Sequence, residues 1–435
     1  MKKIISLLII CIVVVAFMNR KKMEEKPTIT TAKVSLVEEN GKHQLLVNGN
    51  PFYIKGAGLE FGNIPSLAKH NSNSFRTWRT ENGKQSALEV LNEAQANGLM
   101  VTMGIEVGRE RHGFDYNDPI AVKEQLERIK SEVIAIKDHP ALLIWCIGNE
   151  LNLHYKNPKV WDAVNDIASM IKSVDPNHPT TTSLAGIAQR EVQLIKERAP
   201  EIDILSLQIY GPLPTVPKLI KEYNWEGPYM VTEWGATGHW EVPTTSWGAP
   251  VEENSTIKAN NYLMRYNQGI AIDTTQCIGS YVFLWGNKQE RTPTWYGIFL
   301  EDGLETESVD VMHYIWNEKW PENRTPQIQK HTLETKTAYE SIILSAGANV
   351  SSSLEINDLE NDAITYTWEI LKESETTKEG GDYEERPAKI NLQITAQEKG
   401  NINFITPEPG NYRLFVYAND GHGHAATSNI PFRVE

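Results

Sequence analysis

Cysteine is scarce in this sequence, with three residues in 435. Cys11 lies in an apolar segment at the N-terminus, and Cys146 and Cys277 lie in or beside strand-like apolar runs. Three cysteines cannot form a disulfide framework, and a free cysteine packs as a small hydrophobic side chain. We therefore expect Cys146 and Cys277 to be buried thiols.

Basic residues are also fewer than acidic residues. The 42 Lys and Arg residues are outnumbered by 56 Asp and Glu residues, which gives a formal net charge of −14. A surface that binds a nucleic-acid backbone needs a basic excess, so we expect no nucleic-acid partner. The 40% hydrophobic and 23% charged content is that of a globular protein with a core, and the charge leaves neutral ligands such as sugars open.

Long apolar runs are missing apart from one at the N-terminus. Residues 4–18 are almost uniformly apolar and follow Lys2 and Lys3, which is typical of a signal peptide and short for a membrane-spanning helix. We assign residues 1–22 to a signal or anchor segment. The protein is thus expected to be exported, and to be secreted, periplasmic or tethered to the cell surface, with this segment as a possible membrane tether.

The motifs of two other enzyme classes are absent from the predicted catalytic region. A dinucleotide-binding sheet needs a glycine-rich phosphate turn after its first strand, and Gly56-Ala57-Gly58 is too weak a match. A metal-dependent barrel hydrolase would carry a His-x-His pair at the end of an early strand, whereas His422 and His424 lie near the C-terminus. We therefore expect neither a metal nor a cofactor.

Tryptophan, in contrast, is plentiful. Eleven of the 12 tryptophans lie between Trp78 and Trp320. Most of them are expected in the core, yet ligand pockets are also lined by aromatic side chains, and an indole packs well on the apolar face of a sugar ring. The distribution fits a glycan-binding site in this part of the chain.

Strand-like segments alternate with amphipathic helices between residues 43 and 325. The predicted strands are 52–60, 74–79, 100–108, 142–150, 180–186, 204–211, 229–235 and 278–286. The predicted helices include 85–97, 120–137, 159–174, 190–198 and 257–269. Eight strands and seven crossovers over about 270 residues fit a (β/α)8 TIM barrel, with a doubly wound open sheet as the alternative.

The pattern changes after Trp320-Pro321. Residues 326–335 are polar and predict a linker, and residues 23–42 predict a spacer before the barrel. From 336 to 435, short alternating runs separated by turn signals are typical of an immunoglobulin-like β-sandwich. The predicted fold is therefore α/β: a TIM barrel followed by a C-terminal sandwich.

Two of the predicted strands end on a glutamate. The fourth reads ALLIWCIGNEL around Glu150 and the seventh reads YMVTEWG around Glu233, so in a barrel both carboxyls face one mouth. Cleavage of a glycosidic bond needs one carboxylic acid to protonate the leaving oxygen and a second carboxylate to attack the anomeric carbon or to activate water. The alternative is that both glutamates cap strands or pair with arginines.

The motifs that contain Asn149-Glu150 and Thr232-Glu233-Trp234-Gly235 resemble those of the clan A glycoside hydrolases, the retaining (β/α)8 enzymes. The stretch from about 43 to 321 is similar to the catalytic barrel of family 2, with VNGNPFYIKG, SFRTWR and SYVFLW as further shared segments. The resemblance implies that Glu150 is the acid/base and Glu233 the nucleophile.

The same resemblance implies roles for neighbouring residues. Asn149 would bind the 2-hydroxyl of the sugar, Arg76 would keep the nucleophile ionised, and Tyr210 would donate a hydrogen bond to it. Trp285, at the end of the eighth strand, would form the floor under the cleaved sugar. The alternative for Tyr210 and Trp285 is that they are core residues.

Further substrate contacts are expected at strand ends and in the loops that follow, because these loops line the mouth of a barrel. The candidates are Trp234, His112, Glu60, Trp240 and Glu290. For each of them the alternative is an ion pair or a brace within the loops.

The order of the domains suggests a more specific family. Family 2 enzymes usually carry sandwich domains before the barrel, whereas a barrel followed by an immunoglobulin-like domain behind an export leader resembles the family 158 β-1,3-glucanases. This implies an exported, retaining, endo-acting enzyme on β-1,3-glucan. The alternatives are a transglycosylase, a glycosidase on another β-glycan such as mannan or galactan, and a non-catalytic surface glycan-binding protein.

Overall fold

The structure, a computed structural model, describes residues 31–435. The predicted signal or anchor segment, residues 1–22, lies outside the described residues. Within 31–435 no helix has both the length and the apolar character needed to cross a membrane.

A three-stranded antiparallel sheet precedes the barrel and consists of β1 (Val34–Glu39), β2 (Lys42–Val47) and β3 (Asn50–Pro51). Asn48 and Gly49, between β2 and β3, both have positive φ, as a tight Asn-Gly hairpin requires.

This sheet closes the bottom of the barrel. Val34 of β1 and Leu45 of β2 are buried with residues from the first positions of the barrel strands, among them Ile204 and Ile278. The prediction of a spacer over 23–42 is therefore wrong for residues 34–39. Ser35, Glu38 and Glu39 give this segment a polar composition, and pairing with β2 makes it a strand.

Eight parallel strands close into a barrel. They are β4 (Ile54–Gly58), β5 (Ser74–Arg76), β6 (Met100–Ile105), β7 (Leu142–Asn149), β8 (Thr180–Ala185), β9 (Ile204–Gln208), β10 (Tyr229–Glu233) and β11 (Cys277–Val282). Each strand pairs with the next along the chain, and β11 pairs with β4. The TIM barrel prediction is confirmed, and the open-sheet alternative is excluded.

Helices surround the barrel. They are α1 (Ile64–Lys69), α2 (Ala87–Ala96), α3 (Pro119–Ile136), α4 (Lys159–Val174), α5 (Gln189–Arg198), α6 (Val216–Glu222), α7 (Ser255–Arg265) and α8 (Glu307–Asn317). The start of α3 shows how the sequence sets these bounds. Asp118 accepts hydrogen bonds from the backbone N–H groups of Ile120 and Ala121, and Pro119 occupies the first helical position.

The C-terminal region is a sandwich of two sheets. Its strands are β12 (Gln327–Leu333), β13 (Ile342–Leu344), β14 (Asn349–Asn357), β15 (Thr365–Lys372), β16 (Lys389–Ile390), β17 (Gln393–Glu398), β18 (Asn401–Ile405), β19 (Gly410–Asn419) and β20 (Ala425–Val434). The sheet order is β12-β14-β18-β17 in one and β13-β20-β19-β15-β16 in the other. Trp368, Phe404 and Phe432 share the core between them.

The predicted linker, residues 326–335, is also corrected. Most of it forms β12, which pairs with β14 from Gln327 to Leu333. Gln327, Gln329 and Lys330 are polar and not buried, so the composition of this edge strand is that of a linker although its backbone belongs to a sheet. No flexible connection therefore separates the sandwich from the barrel over these residues.

The sandwich contacts the barrel at its C-terminal face. Buried Glu252 accepts hydrogen bonds from Lys258 of α7 at 2.5 Å and from Asn429 of β20 at 2.6 Å. Arg413 of β19 donates to the carbonyl oxygen of Pro250 at 2.8 Å. A long loop between β15 and β16, residues 373–386, extends from the sandwich to the barrel mouth and is called the bridging loop below.

Candidate active site

The end of β7 is irregular. The register between β7 and β8 shifts between Cys146 and Asn149, and Gly148 and Glu150 have φ values of 74° and 53°. A bulge of this kind redirects the side chains at a strand end. At Gly148 a Cβ atom would lie 2.5 Å from the side chain of Leu151, so the motif needs glycine there. The bulge directs Asn149 and Glu150 to the mouth of the barrel.

The carboxylate of Glu233, at the end of β10, is held by four hydrogen bonds. Its Oε1 accepts from Trp78 Nε1 at 2.7 Å, Gln208 Nε2 at 3.0 Å and Arg76 Nη1 at 3.2 Å. Its Oε2 accepts from the hydroxyl of Tyr210 at 3.1 Å. Four donors on one acceptor group fix both oxygens in place.

Arg76 connects the two strand ends. It is fully buried on β5, and while its Nη1 donates to Glu233, its Nη2 donates to Asn149 Oδ1 at 2.7 Å. Gln208 also donates to Asn149 Oδ1, at 2.6 Å. Because two donors occupy the Asn149 oxygen, its NH2 group is left to donate to a ligand.

Glu150 has a different environment. Burial and the negative charge of Glu233 raise the pKa of Glu150 to about 7, and the charges of Arg109, Arg111 and Arg76 oppose this shift. The carboxyl of Glu150 is therefore protonated over much of the range below neutral pH. The environment of Glu150 favours the protonated acid, whereas that of Glu233 is rich in donors to a carboxylate. Such a pair is suited to acid–base and nucleophilic roles.

Aromatic rings form one wall of the mouth. The ring of Phe283 lies 5.8 Å from that of Trp78 and 6.2 Å from that of Tyr210. Trp240 contacts Tyr210 edge to face at 5.8 Å and is 59% exposed. An exposed indole beside a buried polar centre offers an apolar face to a ligand at the rim.

Two of the predicted substrate contacts are wrong. Trp285 is fully buried and packs against Phe299 and Trp316, with ring centroids 5.0 and 5.5 Å away, so it is a core residue. Trp234 is also fully buried and packs against Tyr262 of α7. Adjacent residues of a strand face opposite sides, so Trp234 points to the helices because Glu233 points to the mouth.

Three other candidates take part in ion pairs. Glu60 accepts from Arg79 Nε at 2.7 Å, and Glu290 accepts from Lys288 Nζ at 2.5 Å. His112 Nε2 lies 3.2 Å from Asp382 of the bridging loop. In the described structure these side chains brace the loops, which is the alternative that the sequence left open for them.

Three residues of the site were not among those predicted from the sequence, namely Trp78, Gln208 and Phe283. The period of a strand offers a signal for two of them. Trp78 follows Arg76 by two positions and Gln208 precedes Tyr210 by two, so each shares a face with a predicted site residue.

The barrel segment is similar to known proteins. Residues 63–239 match the family model described as glycosyl hydrolases family 2, TIM barrel domain. A β-glucuronidase of Homo sapiens is 25% identical over 188 residues, which cover 39% of this chain and 26% of that protein. A β-galactosidase of Vibrio vulnificus is 24% identical over 253 residues, which cover 49% of this chain and 23% of that protein. The chain thus spans about a quarter of the length of these curated relatives.

Solved structures show the same fold. A Bifidobacterium dentium β-glucuronidase, complexed with coumarin-3-O-glucuronide, has a TM-score of 0.51 and 18% identity and covers 66% of this chain and 49% of its own. A Bacteroides uniformis β-glucuronidase has a TM-score of 0.51 and 14% identity, and the match covers 92% of this chain and 48% of that protein. The narrower resemblance to family 158 and the β-glucan substrate stay predictions. Over residues 63–239 the chain is similar to the TIM barrel domain of the glycosyl hydrolases of family 2, and the curated relatives it matches are a β-glucuronidase and a β-galactosidase.

Proposed function

We propose that this chain is a retaining β-glycosidase in which Glu150 is the acid/base and Glu233 the nucleophile. The observation that carries the proposal is the contrast between the two carboxyls at one barrel mouth. The pKa of Glu150 is raised to about 7, partly by the charge of Glu233, whereas Glu233 accepts four hydrogen bonds that fix its oxygens.

The reaction proceeds in two steps. Glu233 attacks the anomeric carbon and forms a glycosyl ester, while Glu150 gives its proton to the departing oxygen. Glu150, now ionised, then takes a proton from water, and that water displaces Glu233 from the anomeric carbon. The NH2 group of Asn149 donates to the 2-hydroxyl of the sugar, and Trp78, Gln208, Arg76 and Tyr210 keep Glu233 aimed at the anomeric carbon.

The substrate class is a β-linked polysaccharide or oligosaccharide. β-1,3-Glucan, cut internally, is the first candidate because of the order of the domains. A β-glucuronoside or β-galactoside is the second, because the curated relatives carry those names. Arg109 and Arg111, whose charges act on Glu150, would also suit an acidic sugar. We further propose that residues 1–22 direct export or tether the protein to a membrane.

The test is product analysis on a panel of substrates. It comprises β-1,3-, β-1,4- and β-1,6-glucans, mannan, galactan and the 4-nitrophenyl β-glucoside, β-glucuronide and β-galactoside. Glu233→Gln is expected to lower kcat/KM at least 10³-fold on every substrate, because it removes the nucleophile. Glu150→Gln is expected to lower kcat/KM at least 10³-fold on the polysaccharides, whose leaving oxygen must be protonated, and much less on the 4-nitrophenyl glycosides. The matched control is Glu106→Gln, an exposed glutamate after β6, which is expected to keep its activity.

The first-formed anomer, followed by NMR, tests the retaining mechanism. Product of the β-configuration is expected, and an α-product would require inversion and overturn the assignment of Glu233 as nucleophile. New oligosaccharides longer than the substrate would instead indicate a transglycosylase. Binding without cleavage, retained in both variants, would favour the glycan-binding alternative.

A further inference from the structure

Arg109, in the loop after β6, is a cation at the barrel mouth without a carboxylate partner. Its side chain is partly buried, and it forms no ion pair within residues 31–435. Three other cations around the mouth each pair with a carboxylate, at 3.2, 2.9 and 2.5 Å: Arg76 with Glu233, Arg111 with Asp382 and Lys288 with Glu290. Arg109 therefore differs from its neighbours in having no direct counter-charge.

One hydrogen bond holds Arg109 beside the proposed acid. Its Nε donates to the carbonyl oxygen of Asn149 at 3.3 Å, and the next residue of the chain is Glu150. Its terminal nitrogens, Nη1 and Nη2, form no hydrogen bond with the described part of the chain, and unlike Arg76 Nε they are not closed off from solvent. A guanidinium that is anchored at one edge keeps its outer N–H donors available for a ligand.

The charges around Arg109 favour an anionic ligand. Burial and the positive charge of Arg111 lower the pKa of Arg109, whereas the charges of Glu150, Asp382 and Glu106 act in the opposite sense. Asp382 is already engaged by Arg111, and Glu150 has to be protonated, and hence neutral, to act as the acid. In the form of the protein that cleaves a glycosidic bond, Arg109 thus has the least compensation for its charge.

The position of the acid indicates which part of the substrate lies near Arg109. In the proposed reaction Glu150 gives its proton to the departing oxygen, so the leaving sugar lies next to Glu150. Arg109 contacts the residue before Glu150 and lowers the pKa of Glu150 more than Arg111 does. A guanidinium binds a carboxylate or a sulfate ester through paired, charge-assisted hydrogen bonds, which a neutral hydroxyl does not provide.

We propose that Arg109 binds an anionic group, a carboxylate or a sulfate ester, on the sugar that leaves, so that acidic glycans are preferred to neutral glycans of the same linkage. The inference rests on the proposed function, because the place of the leaving sugar follows from the role of Glu150. It adds Arg109 as a specificity-determining residue and names the charge of the substrate.

The test uses oligosaccharides of one linkage that the unchanged protein cleaves, in which the leaving sugar is glucose, glucuronic acid or a glucose sulfate ester. The value of kcat/KM is compared at about pH 5.5, where Glu150 is protonated with or without the charge of Arg109. We expect a preference for at least one acidic form, and Arg109→Gln is expected to lower it about 10- to 100-fold. A preference for glucuronic acid alone would identify the ligand as a carboxylate, and one for the sulfate alone as a sulfate ester.

Two further variants separate a charge effect from a structural effect. Arg109→Lys keeps the cation and is expected to retain part of the preference. Arg433→Gln is the control, because Arg433 is an exposed arginine of the sandwich that lies 3.5 Å from Glu435, and it is expected to leave the preference unchanged. An equal loss on neutral and acidic substrates in both Arg109 variants would show that Arg109 only braces the carbonyl of Asn149, and would overturn the inference.

Binding to the Glu233→Gln variant keeps the inference apart from the proposed function, because no turnover is needed. Calorimetry is expected to show tighter binding of the acidic oligosaccharides than of the neutral one, weakened by added NaCl and by the addition of Arg109→Gln. Cleavage without a preference for either acidic form would overturn the inference and leave the glycosidase standing. Binding of the acidic forms that depends on Arg109, without cleavage by the unchanged protein, would overturn the glycosidase and support the anion site.

Discussion

Glu150 and Glu233 have the same side chain, and only their surroundings distinguish their proposed roles. Glu150 lies on a bulge after β7, where burial and the charge of Glu233 act on it, and Glu233 lies among four donors. The protonation state of Glu150 sets the direction in which activity changes with pH. A group with a raised pKa is protonated and active below that pKa, and its function is lost as the pH rises through it.

The first prediction concerns the alkaline limb of the pH profile of kcat/KM. The value of kcat/KM is expected to fall about tenfold per pH unit above an apparent pKa of about 7, because ionised Glu150 cannot protonate the leaving oxygen. The measurement is kcat/KM on a substrate with a poor leaving group from pH 4 to 9. With an aryl glycoside whose leaving group needs no proton, Glu150→Gln is expected to lose this alkaline limb. A limb that persists in Glu150→Gln would belong to another residue.

The two carboxyls could be found from the sequence, because a glutamate at the end of a buried apolar run is a local signal. Trp285 and Trp234 could not be placed in the same way. Strands of a barrel are buried on both faces, so polarity does not show which side chains face the mouth. A bulge also shifts the alternation, and its position depends on pairing with the neighbouring strand rather than on the strand itself.

At the scale of elements, the bridging loop contacts several of the loops around the mouth. Its Asp382 accepts from Arg111, after β6, at 2.9 Å, and its Glu379 lies 2.8 Å from His154, after β7. Its Glu384 accepts from the backbone N–H of Arg291, after β11, at 2.9 Å. The loop therefore joins barrel loops that follow strands on opposite sides of the mouth.

The second prediction tests this bridge through Arg111→Gln. The change removes the ion pair with Asp382 and one of the positive charges that lower the pKa of Glu150, so that pKa rises. We expect the alkaline limb of kcat/KM to move to higher pH and residues 373–386 to become more sensitive to limited proteolysis.

Arg190→Gln is the control for Arg111→Gln, because Arg190 is an exposed arginine that pairs with Glu191 on α5. It is expected to leave both the limb and the proteolysis pattern unchanged. If Arg111→Gln moved the limb to lower pH, the assigned effect of Arg111 on Glu150 would be wrong. Unchanged proteolysis would mean that the pair with Asp382 does not hold the loop.

The eight barrel strands were predictable because apolar runs and amphipathic helices alternate with the regular spacing of a barrel. The two strands β1 and β12 were not, since their polar residues resemble those of connecting segments. The bridging loop was equally hidden from the sequence. Arg111 and Asp382 lie 271 positions apart, and only the packing of the sandwich against the barrel brings them together.

For the whole molecule, buried Glu252 is the centre of the interface between barrel and sandwich. It accepts hydrogen bonds from Lys258, Thr292 and Thr294 on the barrel side and from Asn429 on the sandwich side. Removing one member of a buried ion pair leaves the other charge without compensation and costs about 3–5 kcal/mol. This carboxylate therefore contributes to the coupling in stability between the two domains.

The third prediction is that Glu252→Gln lowers the free energy of unfolding by about 3–5 kcal/mol, because the cation of Lys258 loses its counter-charge. Urea unfolding followed by tryptophan fluorescence measures the change. The control is Glu355→Gln, an exposed glutamate on β14, for which we expect a change within about 0.5 kcal/mol. Equal midpoints for the two variants would show that Glu252 does not stabilise the interface.

The bridging loop also has a consequence for how this architecture diversifies. Residues 373–386 belong to the sandwich, yet they end at the loops around the two carboxyls. Under the proposed function, substitutions, insertions or deletions there can change which glycans reach the carboxyls without altering the barrel core. Substrate range and catalytic chemistry are then inherited from different parts of the chain, and selection can act on one while the other is preserved.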